Sequence, residues 1–190
     1  MRNSDFKNLD KMFLNRWSPR SYKGESINDD DLLTIFEAAR WAPSCFNEQP
    51  WLFVYSKKKE DLKKFQEILN EGNQLWAKNA PILLAIFSRR TFNKNGKENR
   101  WADFDAGAAW MSLSLQALKL GIYCHSMAGY DPQKAYSVCK VDPKKYNSVC
   151  MTAIGRIDSP DKLEGPLRER EIPSERNKLQ SFVFEGSLSN

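Results

Sequence analysis

The sequence predicts a central β-sheet covered by helices on both faces. Three features carry that expectation. Strand-like and helix-like segments alternate along the chain. Residues 82–87, ILLAIF, form a continuous apolar run of strand length, the pattern of a strand covered on both sides. Residues 104–120, FDAGAAWMSLSLQALKL, form a helix that is apolar nearly all round and should be buried nearly all round.

The elements follow in order. A first helix is expected over residues 6–15. The second starts after Asn28, a good cap, with Asp29, Asp30 and Asp31 opposing the positive end of the helix dipole. Its apolar residues Leu32, Ile35, Phe36 and Ala39 recur at helical spacing, and Pro43 lies just past its end. Residues 51–55 read as a strand and residues 59–70 as a charged amphipathic helix. Residues 88–100 are polar, contain Gly96, and read as a mobile surface loop. Ala106, Gly107, Ala108 and Ala109 leave the helix 104–120 open to close approach by another helix, and Gly121 suits its C-terminal cap. A central position in a monomer core and coverage by a second subunit both satisfy that helix. A short helix over 131–139, a strand over 148–157, an extended arm over 163–178 and a last strand over 181–185 complete the reading. That last strand stands far from the compact body and is expected to pack elsewhere, on a partner.

At 190 residues, with 41% hydrophobic and 12% aromatic content, the chain can bury one proper core, so one domain over 1–190 is expected. No apolar run is long enough to span a bilayer, and the start Met1-Arg2-Asn3-Ser4-Asp5-Phe6 lacks a secretory stretch. The expected location is the cytoplasm. The net charge is +5, but the basic residues are spread and mixed with acids, which argues against a nucleic-acid surface. Cys45, Cys124, Cys139 and Cys150 have no zinc or redox spacing, and His125 is the sole histidine, so no metal site is expected. No nucleophile elbow is present, and no catalytic side chain is assigned.

Four segments could carry chemistry. In Arg16-Trp17-Ser18-Pro19-Arg20, an extended backbone puts Arg16, Ser18 and Arg20 on one side: two forked cations flanking a hydroxyl, suited to a phosphate monoester or an anionic ring edge. Surface arginines near a turn would give the same string. Residues 42–51, APSCFNEQPW, are stiffened by two prolines and hold small or polar residues, a suitable seat for a planar heteroaromatic ring or simply a helix-to-strand connection. In Ser126-Met127-Ala128-Gly129-Tyr130-Asp131, small residues let a ring approach backbone N–H groups. Arg168, Arg170 and Arg176 form an arginine group in the C-terminal arm. No glycine-rich dinucleotide or phosphate-loop motif is found.

Taken together and in this order, the segments resemble the nitroreductase family of flavin enzymes over residues 16–185. RWSPRSY resembles the N-terminal phosphate motif, and APSCFNEQPWLF the Pro-Ser-x-x-Asn-x-Gln-Pro-Trp loop. DAGAAWMSLSLQALKLGI resembles the central dimer helix, MAGYD the segment under the flavin, and SERNKLQSFVFEG the closing arm and strand. The resemblance implies an α+β fold, a three-layer α/β/α sandwich with a mixed central sheet and a C-terminal arm extending onto the partner subunit. It implies an obligate homodimer with flavin mononucleotide (FMN) at the interface. Arg16, Trp17, Ser18 and Arg20 would hold phosphate, ribityl and the O2 edge of the ring. Pro43, Ser44 and Cys45 would reach the flavin held mainly by the other subunit, with Asn47 nearby. Ala128 and Gly129, following Met127, would present N–H groups toward N5 and O4. Arg176 would close on the phosphate, and Asn73 is a further match. Cys45 stands where the family often has a second serine, and Trp17 is bulky where a small or basic residue is common.

The activity so implied is electron transfer from NADH or NADPH to a nitroaromatic, quinone or similar small acceptor by a ping-pong sequence. A flavin-binding protein that stores, senses or degrades flavin would keep the same site, and a basic interaction module without cofactor is the third class.

Overall fold

A computed structural model describes residues 2–188. Four strands form its sheet: β1 (Trp51–Ser56), β2 (Ile82–Arg89), β3 (Tyr123–Met127) and β4 (Tyr146–Gly155), in the order β1-β2-β4-β3. The helices are α1 (Lys11–Asn15), α2 (Asp29–Arg40), α3 (Lys59–Gln66), α4 (Glu71–Ala77), α5 (Ala102–Lys119), α6 (Pro132–Cys139) and the single turn α7 (Pro166–Glu169).

Strand β2 explains the layering. Its side chains alternate: Leu83, Ala85 and Phe87 join one core, while Ile82, Leu84 and Ile86 join the other. The first core takes Phe65, Trp76 and Ala135 from α3, α4 and α6; the second takes Leu32, Ile35 and Ala39 from α2 with Ala106, Ala109, Leu113 and Ala117 from α5. Three layers result, as expected, and α2 begins at the expected Asn28, whose side chain accepts the Asp31 N–H at 2.7 Å.

All three strand pairings are antiparallel, which differs from the mixed sheet expected. The crossover through α5 does return the chain in the same direction, from β2 to β3. But β4 runs back between those two strands, so parallel strands are never neighbours within one chain. β3 is an outer strand, and its far side has no backbone partner among the described residues.

Several boundaries differ from the sequence expectation. The first helix shrinks to Lys11–Asn15 because Asp10 caps it, accepting the Met12 N–H at 2.8 Å. The helix expected over 59–70 ends at Gln66. Asn70 instead caps a separate helix, α4, through the Asn73 N–H. Residues 88–100 fold as a hairpin: Thr91 bridges Glu98, and the Gly96 N–H donates to Phe92 O at 2.9 Å with Gly96 at a φ of 68°. The strand expected over 181–185 is absent. Residues Leu179–Ser181 form a 3-10 turn, and Phe182, Val183 and Phe184 are exposed. A strand exists by pairing, and this segment meets no sheet edge of its own chain.

Helix α5 is buried on only one side. Phe104 is 76% exposed, a Cβ on Gly107 would meet nothing within 4 Å, and Ala108, Met111, Leu115 and Leu118 continue this incompletely covered apolar stripe at helical spacing.

Candidate functional site

The site begins where the chain leaves α1. Arg16 is half-buried, and its Nη1 finds no hydrogen-bond partner among the described residues. Its proton affinity is lowered first by burial, then by the like charges of Arg176 and Arg2. Three guanidinium groups thus share one neighbourhood. Arg2 donates from Nη2 to the Arg16 carbonyl oxygen at 2.7 Å. Arg176, in the C-terminal arm, holds its guanidinium against Ser174 and Glu175 carbonyls at 3.1 and 3.0 Å.

Trp17 lines a cavity of about 570 Å³ with Arg2, Leu118, Tyr123 and Pro173. Ser18 is half-buried beside it. Buried Pro19 offers its carbonyl to His125 Nδ1 at 2.9 Å, and the His125 ring packs 4.5 Å from that of Trp76. Burial pushes the His125 pKa down to about 4, so the ring is neutral and donates, fixing the Arg16–Arg20 segment against β3. The charges of Arg20 and Arg16 are both felt at His125. Unlike Arg16, Arg20 has an anionic neighbour: Glu171 lies 3.9 Å from its Nη1. Glu171 is 4% exposed and accepts the Arg20 and Ser21 N–H groups at 2.7 and 2.8 Å.

At the other end of β3 lie Met127, Ala128 and Gly129. Met127 is buried and Ala128 exposed. No hydrogen bond from the Ala128 or Gly129 N–H is found among the described residues. The Gly129 carbonyl accepts from the Asn70 N–H at 3.0 Å and from Asn73 Nδ2 at 2.9 Å, so Asn73 lies against this segment. A Cβ at Gly129 would sit 2.3 Å from Asn70 Nδ2 and 2.8 Å from Asn73 Nδ2. The Arg16–Arg20 segment thus meets β3 at Tyr123 and His125, and the free N–H donors follow just past the strand's C-terminal end.

Pro43, Ser44, Cys45 and Asn47 are placed elsewhere. Their loop precedes β1, at the opposite edge of the sheet. No hydrogen bond links it to the Arg16–Arg20 or Met127–Gly129 segments among the described residues. Phe46, Asn47 and Gln49 adopt φ of 52°, 56° and 48°, a left-handed backbone that costs non-glycine residues energy. Buried Asp105 holds the loop by accepting the Cys45 N–H at 3.0 Å, and Ser44 Oγ accepts the Gln49 N–H at 3.0 Å. Glu48 ties it to the hairpin through Arg89 and the Asn93 N–H, both at 2.9 Å. Pro43, Ser44 and Cys45 face Trp101 and Phe104 of the α5 start across a cavity of about 230 Å³.

The family model described as the nitroreductase family matches residues 14–156. The chain belongs to the nitroreductase family. Among solved structures, a crystal structure described as an oxidoreductase containing FMN is 41% identical, with a TM-score of 0.94, covering 99% of this chain and 96% of that one. The FMN-dependent nitroreductase of Clostridium difficile R20291 is 26% identical, with a TM-score of 0.68, covering 79% and 88%. A protein of Archaeoglobus fulgidus assigned by name to the NADH dehydrogenase/NAD(P)H nitroreductases is 36% identical over 112 residues, 59% of this chain and 62% of that relative. The match thus spans less than two thirds of that relative's length.

Within this nitroreductase-family chain, sequence reasoning missed Arg2, Asn70, Asp105 and Glu171. Asn70 and Asp105 had a readable signal, as helix-start residues with carbonyl or carboxylate side chains. Arg2 and Glu171 act across 14 and 150 residues, which no local pattern reports.

Proposed function

We propose that this chain is an FMN-dependent oxidoreductase that passes electrons from NADH or NADPH to a small organic acceptor such as a nitroaromatic or quinone, acting as a homodimer. The observation that carries the reading is the split site: a cationic groove along β3 at one sheet edge and a strained, rigid loop at the other.

The residues fit a phosphorylated planar cofactor. Arg16 Nη1 is an orphaned donor within a group of three cations. Free N–H groups at Ala128 and Gly129 face the other end, where Gly129 leaves no room for a side chain. Arg16, Ser18 and Arg176 would take the phosphate, with Trp17 beside the ribityl chain and Arg20 at the O2 edge. When bound, the flavin would supply the redox chemistry of a ping-pong exchange between nicotinamide and acceptor. Arg20 would favour negative charge at the ring edge, and the Ala128 and Gly129 N–H groups would orient the ring. No side chain is needed as acid or base.

Helix α5 supports the dimer. Its first residues adjoin the Pro43–Cys45 loop, and Leu118 and Lys119 near its end share a cavity with Trp17 and Tyr123. A two-fold axis across the exposed Gly107–Met111 stripe would pack two α5 helices antiparallel. One chain's Pro43, Ser44, Cys45 and Asn47 would then reach the partner's β3 groove, completing the site. The exposed Phe182–Phe184 segment would pair with the partner's free β3 edge, adding the strand that one chain lacks.

Steady-state oxidation of NADH and NADPH by the FMN-loaded protein tests this reading. Turnover that rises with added menadione or nitrofurazone is expected. Flavin retained with no acceptor-dependent turnover would instead favour flavin storage, sensing or degradation.

A further inference from the structure

Arg2 belongs to none of the segments that the sequence marks for cofactor binding, yet it meets them. Its bond to the Arg16 carbonyl fastens the start of the chain to the cationic end of the groove. Arg2 and Pro173 line one cavity, so the N-terminal segment and the C-terminal arm also meet there. The three guanidinium groups come from three separate stretches of chain. None of them forms an ion pair among the described residues, while Arg20 does so with Glu171, Arg89 with Glu48 and Arg168 with Asp161. Arg2 experiences burial and the like charge of Arg176, offset only partly by Glu175. Arg2 and Arg16, half-buried cations grouped with exposed Arg176 and lacking an ion pair of their own among the described residues, are costly and call for an anion.

We infer that Arg2 is a third phosphate ligand, and that the phosphate of the cofactor closes both the N-terminal segment and the C-terminal arm onto Arg16. This rests on the FMN reading of the site. One guanidinium carries five N–H donors. Arg2 spends Nη2 on the Arg16 carbonyl and keeps Nε and Nη1 for the anion. A phosphate monoester brings a charge of about −1.5 to −2 and three acceptor oxygens, enough for all three forks. Riboflavin, with the same ring and no phosphate, gives the cluster nothing to close on.

The test compares the affinities of FMN and riboflavin for the dimeric apoprotein by quenching of flavin fluorescence, in wild type, Arg2→Ala and Arg2→Lys. Arg2→Ala should weaken FMN about tenfold and leave riboflavin unchanged, and Arg2→Lys should recover part of the loss. FMN, but not riboflavin, should also slow tryptic cleavage after exposed Lys7. Equal losses for both flavins, or no loss for either, would overturn the assignment and reduce Arg2 to a structural prop. A wild type that binds neither flavin would remove the FMN reading itself, and this inference with it.

Discussion

Replacing Gly129 with alanine probes the junction of β3 and α4 most sharply. The new methyl would lie 2.3 Å from Asn70 Nδ2, 2.9 Å from Asn70 Cγ and 2.8 Å from Asn73 Nδ2. Neither side chain is free to swing away. Asn70 caps α4 through the Asn73 N–H at 3.0 Å, and Asn73 donates to the Gly129 carbonyl at 2.9 Å. Relief therefore sacrifices the cap, about 1 kcal/mol, and the Asn73 bond, about 1 kcal/mol, or moves the Met127–Gly129 backbone. A loss of about 2 kcal/mol lowers the melting temperature of a chain this size by about 4–8 °C. Calorimetry of the apoprotein reads that shift, and flavin titration reads the displaced N–H groups as weaker binding. Wild-type melting and affinity would refute the claim that the two asparagines are fixed.

Other perturbations act on separate parts of the molecule. Glu171→Ala leaves the Arg20 and Ser21 N–H groups without their acceptor and should cost about 2–4 kcal/mol in urea unfolding, with Glu171→Gln recovering much of it; an unchanged midpoint would contradict the anchoring role. His125 has its folded pKa depressed from 6.5 to about 4 by burial, so the stability tied to its neutral form is present above pH 6.5 and is lost as pH falls toward 4. That loss amounts to about 3 kcal/mol, and a His125→Gln variant should lack it in pH-dependent unfolding. Arg16→Ala should weaken FMN by at least tenfold while sparing riboflavin, as titration with both flavins would read. Gly107→Trp, at a position open within one chain, should give a monomer in sedimentation velocity while α2 and α5 keep their helix content by circular dichroism.

Much of the fold was legible because its signals are local. ILLAIF announces a strand buried on both faces, and that strand does separate the two cores. Its neighbours on both sides are antiparallel, because coverage by helices, not strand direction, decides burial. β3 escaped notice because His125 and Ser126 interrupt its apolar pattern, and both are satisfied by partners distant in sequence: Pro19 O and Thr152 Oγ1. Helix α4 was hidden by Gly72 and by reading Asn70 as the end of the preceding helix rather than the cap of the next.

The pieces of the site were legible in the residues, and its division between subunits only through the family resemblance. Arg16 and Arg176 do come together, and so do Asn73 and Gly129. The Pro43–Asn47 loop, adjacent in function to these segments by resemblance, lies across the sheet from them in one chain, because it precedes β1 and they flank β3 at the opposite edge. The half-covered face of α5 was foreseeable in outline: a helix apolar all round needs two coverings, and one chain supplies only one.

Native mass spectrometry of the purified protein, after incubation with excess FMN and removal of the unbound portion, weighs the central claim directly. Two chains carrying two FMN molecules are expected. A single chain, or a dimer free of flavin, would contradict a groove assembled from both subunits.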